Sequence, residues 1–536
     1  MRRFYETIGN QPLILLVTAL LMIPFALFLN LGLLPLISDE PTRAIVTLEM
    51  ILSDNYMTPT INGEFYYNKP PLFNWILAGF IHASGQLNEF IFRLPTALSL
   101  IFMGLIIYLF SKKALGKVNA LLAALMLITS ARILFWDSFQ GLIDITYSLV
   151  TFCSFAALYF FSRKKNWLAL FMVTYSLAAA GYLMKGLPSI AFQGISLIAW
   201  LLYEKSFRKL FTWQHLAGIA TFVLITGSYY FAYLHTNSLQ DVFSTLFDQS
   251  NRFNDKEGTI LSWARHLINF PFEMSYEFAP WTLLLLLLFD KRIRQATFLD
   301  RFSVFCLIIF ASNIVLYWVS ADMRPRYLFM LFPLLFLTGI KAYSVAETIS
   351  PKIFRLVNLV IRSMAFAGAF SLLIYVFWHE TNQMAGLWLI IPILFLVALS
   401  AAMLTIKIPR QSIVLLIIVM LSVRIGFNSF NLPARINSYP DAGYREGEII
   451  AGQLVKGHST FILGDTPFNH DASFYISRES GQIITRTWGI SDNRACYITD
   501  EKNLVNFAGG AKGYTVIHEF TIKLNETRLF LIKKPL

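Results

Sequence analysis

Long apolar runs alternate with short polar connections along most of the chain, and that rhythm predicts a bundle of membrane helices. Roughly thirteen runs are apolar enough to span, each needing about 20 residues. They lie near 13–37, 94–111, 117–132, 141–161, 167–184, 186–203, 213–234, 279–290, 302–320, 327–345, 355–378, 384–405 and 411–428. Two connections break the rhythm, 38–93 and 235–278. Both exceed the length of about 15 residues beyond which loops are usually functional. Polar residues return from 435 to 536, as a helix ("DAGYREGEIIAGQLVKG") and then "STFILGD", "QIITRTW", "YTVIHEF" and "RLFLIKK". Their alternation and β-branched content predict strands. The expected fold is therefore an all-α polytopic membrane bundle over 1–434, followed by a small C-terminal α/β domain over 435–536.

Composition agrees: 56% of the 536 residues are hydrophobic and 14% charged, where a soluble protein is about a quarter charged. The formal net charge of +12 is mostly a topology signal. Basic residues crowd the connections at 111–117, 162–165, 203–209, 290–294 and 407–410, whereas 379–383 ("HETNQ") has neither lysine nor arginine. The positive-inside rule puts the basic connections and the N-terminus in the cytoplasm. An odd number of spans then puts the C-terminal domain outside, and nucleic acid is not an expected partner. The first run follows "MRRF" without a small-residue cleavage site and is read as a retained span. Cys153, Cys306 and Cys496 are widely spaced and give neither a metal pattern nor a disulfide framework. No internal repeat is evident.

Chemistry concentrates in the first long loop. In "ISDEPTRAIVTLEM" (37–50), Asp39 and Glu40 precede Pro41, a good first helical residue. Ala44, Ile45, Leu48, Ile51 and Leu52 then form a stripe suited to a helix lying at the membrane surface. Ser38 or Asp39 is placed to cap that helix. Further on, Pro70 and Pro71 stiffen the chain behind Lys69. A lysine, an arginine (Arg43) and two carboxylates on one loop frame a site for a phosphate and a hydroxyl.

The ordered set Asp39-Glu40, Glu49-Met50-Ile51, Asn62-Gly63 and Tyr67-Asn68-Lys69-Pro70-Pro71 resembles the membrane-embedded GT-C glycosyltransferases of the aminoarabinose transferase (ArnT) and protein O-mannosyltransferase type. Two positions depart from that family's pattern: Thr42 stands where it has arginine, with Arg43 one step later, and Asn68 replaces an acidic residue. Further stretches share the resemblance. "ARILFWDSFQGLIDITYS" (131–148) offers Asp144 as a second acidic residue, with Asp137 its competitor. "MKGLPS" supplies Lys185, "ARHLINFPFEMSYEFAPW" supplies His266, and "SADMRPRYLFMLFP" supplies Arg324, Arg326 and Tyr327.

The resemblance implies transfer of a sugar, with inversion, from a polyprenyl-phosphate-linked donor to an outer-face acceptor: lipid A, another glycolipid, a glycan or a protein. Such a reaction needs a carboxylate at the nucleophile and cations at the departing phosphate. Asp39, Glu40 and Asp144 are then the catalytic acids. Lys69, Arg43, Arg326 and Tyr327 hold the lipid phosphate, and Lys185, His266 and Arg324 are further substrate contacts. A divalent metal is left open as cofactor, and no organic cofactor is expected. The implied location is a bacterial inner membrane, with the C-terminal domain periplasmic. The alternative is a transporter or flippase of lipid-linked sugars, which would share the spans and the phosphate site; such proteins often carry inverted repeats.

Overall fold

The computed structural model describes residues 12–251, 260–320, 323–490, 492–507 and 513–534. The basic N-terminal tail, part of the second long loop and Ala321–Asp322 of the "SADM" segment fall outside these residues. Among the described residues, eight helices are long and apolar enough to cross a membrane, which makes the chain an integral membrane protein. Thirteen spans are not confirmed. The runs near 94–111 and 117–132 form one element, Glu89–Ile128, broken at Gly116 (φ 79°). Leu13–Phe28 and Pro188–Tyr203 have only 16 residues, and the run near 279–290 is the nine-residue 3-10 helix Trp281–Phe289. Much of the second long loop is helical, as Gln240–Asn251 and Ile260–Glu277.

The basic connections and the polar clusters occupy opposite ends of the bundle. Ile143–Arg163 begins beside Asp144 and ends at "SRKK"; Trp167–Lys185 returns from there to Lys185. Lys185 Nζ and Asp144 Oδ1 meet at 2.5 Å, so both helices deliver their non-basic ends to one place.

The first loop folds against that end. Pro41 sits in the first turn of Glu40–Ser53, where its missing N–H leaves no bond unmade. Asp39 occupies the N-cap position, but its side chain makes no capping hydrogen bond, contrary to expectation. The helix is not a half-wet surface element either. Arg43, Thr47 and Glu49 are buried along with Ala44, Ile45 and Leu48, because helix His470–Ser480 of the C-terminal region packs across it.

Glu40 anchors the arrangement. Its carboxylate takes Arg93 Nε at 2.8 Å and Nη2 at 2.9 Å, the backbone N–H of Ile37 at 2.8 Å and that of Gly141 at 2.5 Å. The remaining Arg93 donors reach the carbonyls of Leu31, Leu34 and Pro35 at 2.7–3.0 Å. One buried pair thus ties the segment after the first helix to Glu89–Ile128 and to the approach of Ile143–Arg163. A second anchor is Glu49. It accepts from Thr60 Oγ1 (2.7 Å) and from the N–H groups of Asn62 (2.5 Å) and Gly63 (3.2 Å). These residues form the turn between β1 (Thr60–Ile61) and β2 (Glu64–Phe65), with Asn62 and Gly63 both at positive φ, as a two-residue hairpin turn requires.

The C-terminal region is a five-stranded mixed sheet in the order β4-β3-β5-β7-β6, with β3 (Thr460–Leu463), β4 (Thr485–Thr487), β5 (Cys496–Thr499), β6 (Thr515–Thr521) and β7 (Arg528–Lys533). Strand β3 pairs in parallel with β4 and β5, and β7 is antiparallel to β5 and β6. The fully buried β5 was not anticipated; its four residues show no alternation. The sheet region docks on the bundle through Glu89, which receives Tyr475 Oη and Arg445 Nη1 at 3.1 Å each, while Phe474 packs edge-on against Phe92.

Because Arg93 is fully buried, removing it strands the Glu40 charge. Arg93→Met should lower stability by about 3–5 kcal/mol, visible as a large fall in unfolding temperature of the detergent-solubilised protein.

Candidate functional site

Charged side chains from four elements converge at the polar end of the bundle. Asp39, at the start of Glu40–Ser53, is more than half exposed and pairs with Arg326. Arg326 comes from the short turn Pro325–Leu328, and its Nε also lies 3.4 Å from Asp144 Oδ2. Asp144 is buried and holds Lys185 on its other oxygen. The Lys185 ammonium sits over the Tyr327 ring, 4.1 Å from its centroid, and 5.2 Å from that of Tyr147. The order Asp39–Arg326–Asp144–Lys185 alternates in sign, so each charge taken from water meets an opposite one. Burial alone would weaken the Arg326 guanidinium, but Asp144 and Asp39 outweigh it and hold its protonation above the ordinary arginine range.

Lys69 stands beside this chain of pairs. Burial, and then the neighbouring charges of Lys185 and Arg43, lower its pKa to about 8; Asp144 and Asp39 act in the opposite sense. Arg43 is buried, reaching Asn74 Oδ1 at 3.4 Å and the Tyr66 hydroxyl. Asn74 in turn grips the Arg43 carbonyl (3.0 Å) and Thr47 Oγ1 (2.9 Å). Lys69 lines a cleft with Tyr66, Tyr67, Tyr229, Tyr230 and Tyr233. Asn237 Nδ2 links the Tyr67 and Tyr233 hydroxyls, at 3.1 Å each.

Of the residues singled out in the sequence, Asp39, Asp144, Lys69, Arg43, Arg326, Tyr327 and Lys185 thus come together. Arg324 is exposed and its charge acts on Tyr327. Glu40 does not join them. Both of its oxygens are engaged by Arg93 and by the backbone N–H groups of Ile37 and Gly141, so the structure places it in the scaffold beside the cluster. His266 is also not part of the cluster; its ring packs on Phe270, and its Nε2 has no hydrogen-bond partner among the described residues. Asp137 is taken by Arg132 at 2.6 Å, and Arg132 also meets Glu277 at 3.3 Å. Burial raises the Asp137 pKa to about 6 against the effect of Arg132.

Sequence reasoning missed Arg93, Tyr147 and the tyrosines of 227–233. Arg93 had a signal, an ionisable residue beside an apolar run. The run "GSYYFAY" had a weaker one, aromatics at a helix end. As for a metal, among the described residues no group of three or more His, Cys, Asp or Glu side chains is placed to hold one. Asp39 and Asp144 already face cations, so this donor set does not fit a resident metal.

The comparisons with known proteins bear on this geometry. Residues 68–231 match the family model of dolichyl-phosphate-mannose-protein mannosyltransferase. Two uncharacterized proteins of Aquifex aeolicus (strain VF5) are each 26% identical to the chain. One match covers 233 residues, 42% of this chain and 45% of the relative. The other covers 259 residues, 48% and 58% respectively, so the chain spans about half the length of these relatives. Among solved structures, ArnT from Cupriavidus metallidurans bound to undecaprenyl phosphate aligns over 98% of this chain and 99% of its own, with 17% identity and a TM-score of 0.69. The same protein in the apo state aligns over the same shares, with 16% identity and a TM-score of 0.67. The chain therefore has an ArnT-like fold, as the resemblance of the first-loop pattern implied.

The two carboxylates differ in what they support. Asp144→Asn, which leaves Lys185 and Arg326 without a buried counter-charge, should cost about 3–5 kcal/mol. Asp39→Asn removes a carboxylate that is more than half exposed and leaves buried Arg326 its contact with Asp144, so it should change stability by less than about 1 kcal/mol. Thermal unfolding of the two purified variants side by side checks the contrast.

Proposed function

We propose that the chain is an integral membrane glycosyltransferase that moves a sugar from a polyprenyl-phosphate-linked donor to an acceptor on the outer face of a bacterial inner membrane. The observation that carries this reading is the convergence of Lys69, Arg43, Lys185 and Arg326 on an exposed carboxylate, Asp39, beside an aromatic cleft. A cationic pocket with one accessible acid suits a substrate that carries a phosphate and reacts at a hydroxyl. The ArnT-like fold supports it, since the relative of that fold is bound to undecaprenyl phosphate. The cluster also lies at the end of the bundle away from the basic connections. By the positive-inside rule that end faces out, with the N-terminus cytoplasmic and residues 435–536 a periplasmic domain.

In the proposed reaction the acceptor oxygen attacks the anomeric carbon and its C–O bond forms. The bond from that carbon to the lipid phosphate oxygen breaks on the opposite face, with inversion, and the electron pair leaves with the phosphate. Asp39 orients the acceptor and takes its proton. Lys69, Arg43 and Arg326 stabilise the charge growing on the leaving phosphate. Tyr327 holds Lys185 and Arg326 in place, and Asp144 keeps the two cations from repelling each other apart. The acceptor class among glycolipid, glycan and protein follows from experiment.

That experiment is mass spectrometry of polyprenyl-phosphate sugars and envelope glycans in cells with and without the gene. One lipid-linked sugar should accumulate in its absence and the same sugar vanish from one acceptor. Asp39→Asn, well inserted, should fail to restore it, with turnover down about 100-fold or more. Full restoration by Asp39→Asn would refute the assignment, and build-up confined to the cytoplasmic leaflet would favour a transporter.

The pH dependence has a definite sign. With its pKa near 8, Lys69 is charged below that value and loses its proton as pH rises through it. Affinity for the lipid phosphate should be flat below pH 8 and weaken above it, up to about tenfold per unit where that charge is essential. Lys69→Arg should hold its affinity to higher pH. Titration calorimetry with a short-chain polyprenyl phosphate from pH 6.5 to 9.5 measures both.

A further inference from the structure

The C-terminal sheet region reaches the site through one side chain. His470 opens helix His470–Ser480, whose preceding residue Asn469 caps it by accepting from the Ala472 N–H. The imidazole Nδ1 and Thr42 Oγ1 lie 2.7 Å apart. Thr42 stands three residues after Asp39, the spacing that puts two side chains on one helix face. Of the charged groups around the imidazole, Arg43 and Asp39 act on it. His470 is itself exposed, and its Nε2 makes no hydrogen bond within the described residues.

A docking role explains this contact poorly. The sheet region is already fastened by Tyr475, Arg445 and Arg478 around Glu89 and by Phe474 on Phe92. Those contacts are shielded, whereas the His470–Thr42 bond is exposed to water and adds little to such a dock. What the bond does accomplish is to hold the ring by Nδ1, leaving Nε2 without a hydrogen bond within the described residues and the imidazole within electrostatic reach of Arg43 and Asp39.

Resting on the glycosyltransferase reading above, we propose that His470 is part of the active site: held by Thr42 through Nδ1, it contacts the acceptor through Nε2, so the site is complete only with the sheet region in place. The acceptor is thereby gripped between two parts of the chain, the carboxylate of Asp39 from the first loop and the imidazole from the C-terminal region. Lys69 and Arg326 are left to the donor.

The test uses the full-length protein, added back to membranes of a strain lacking it, which contain the native donor and acceptor. His470→Asn keeps an amide at the position of Nδ1 and so keeps the Thr42 bond, but has nothing at Nε2. His470→Gln places its amide where Nε2 lies. Transfer of sugar and unfolding temperature are measured for both and for His470→Ala. We expect His470→Asn and His470→Ala to slow transfer about tenfold, the size of one good substrate hydrogen bond, with unfolding temperatures unchanged and His470→Gln recovering most of the rate. Native turnover by His470→Asn overturns the proposal. So does a loss in His470→Ala and His470→Gln, but not in His470→Asn, that tracks a fall in unfolding temperature, which would make the bond a dock. If the native protein transfers no sugar in these membranes, the underlying reading fails first, and the proposal with it.

Discussion

Arg93 and Glu40 meet where neither can be solvated, and each has organised its surroundings so that no donor or acceptor is wasted. The guanidinium binds a carboxylate on two sides and three carbonyls on the others. The carboxylate collects two backbone N–H groups besides. A pair this buried survives only when all its hydrogen bonds are met, and meeting them fixes four stretches of chain at once. Asp39 is the neighbour of Glu40, so its placement is a direct product of that fixation. The exposed acid owes its position to the hidden one.

Around that anchor the charges of the site follow one electrostatic rule. Asp144 stands between Arg326 and Lys185, and Asp39 takes the other side of Arg326. Burial, and then the charges of Lys185 and Arg43, lower the Lys69 pKa to about 8 against the pull of Asp144 and Asp39.

Much of this was legible from the sequence, and the exceptions are instructive. The apolar runs located the helices because burial in lipid needs length and little else. The first loop declared itself through Asp39, Lys69 and the Asn62-Gly63 turn, whose residues have few other reasons to occur in that order. Glu40 and Asp39 look alike in sequence, while the partner that separates their surroundings, Arg93, lies 53 positions from Glu40. The place of His266 against Phe270 was not legible, because a histidine in a loop carries no mark of direction. Strand β5 escaped because a strand buried on both faces loses its alternation. His470 gave no signal at all, since its only distinction is a threonine 428 residues earlier.

The grip of Glu49 on the hairpin has a consequence for how such a chain can change over time. Its two oxygens hold the turn backbone at Asn62 and Gly63 and the Thr60 hydroxyl, and a side chain on Gly63 would also strike Thr485 of β4. The helix, the hairpin tip and the sheet region therefore form a lock of three parts. A substitution in any one is harmful until a matching one arises in another. Drift here must proceed in coordinated steps, so positions 49, 60, 62–63 and 485 should vary together among descendants of this sequence while their neighbours on the lipid-facing surface wander freely.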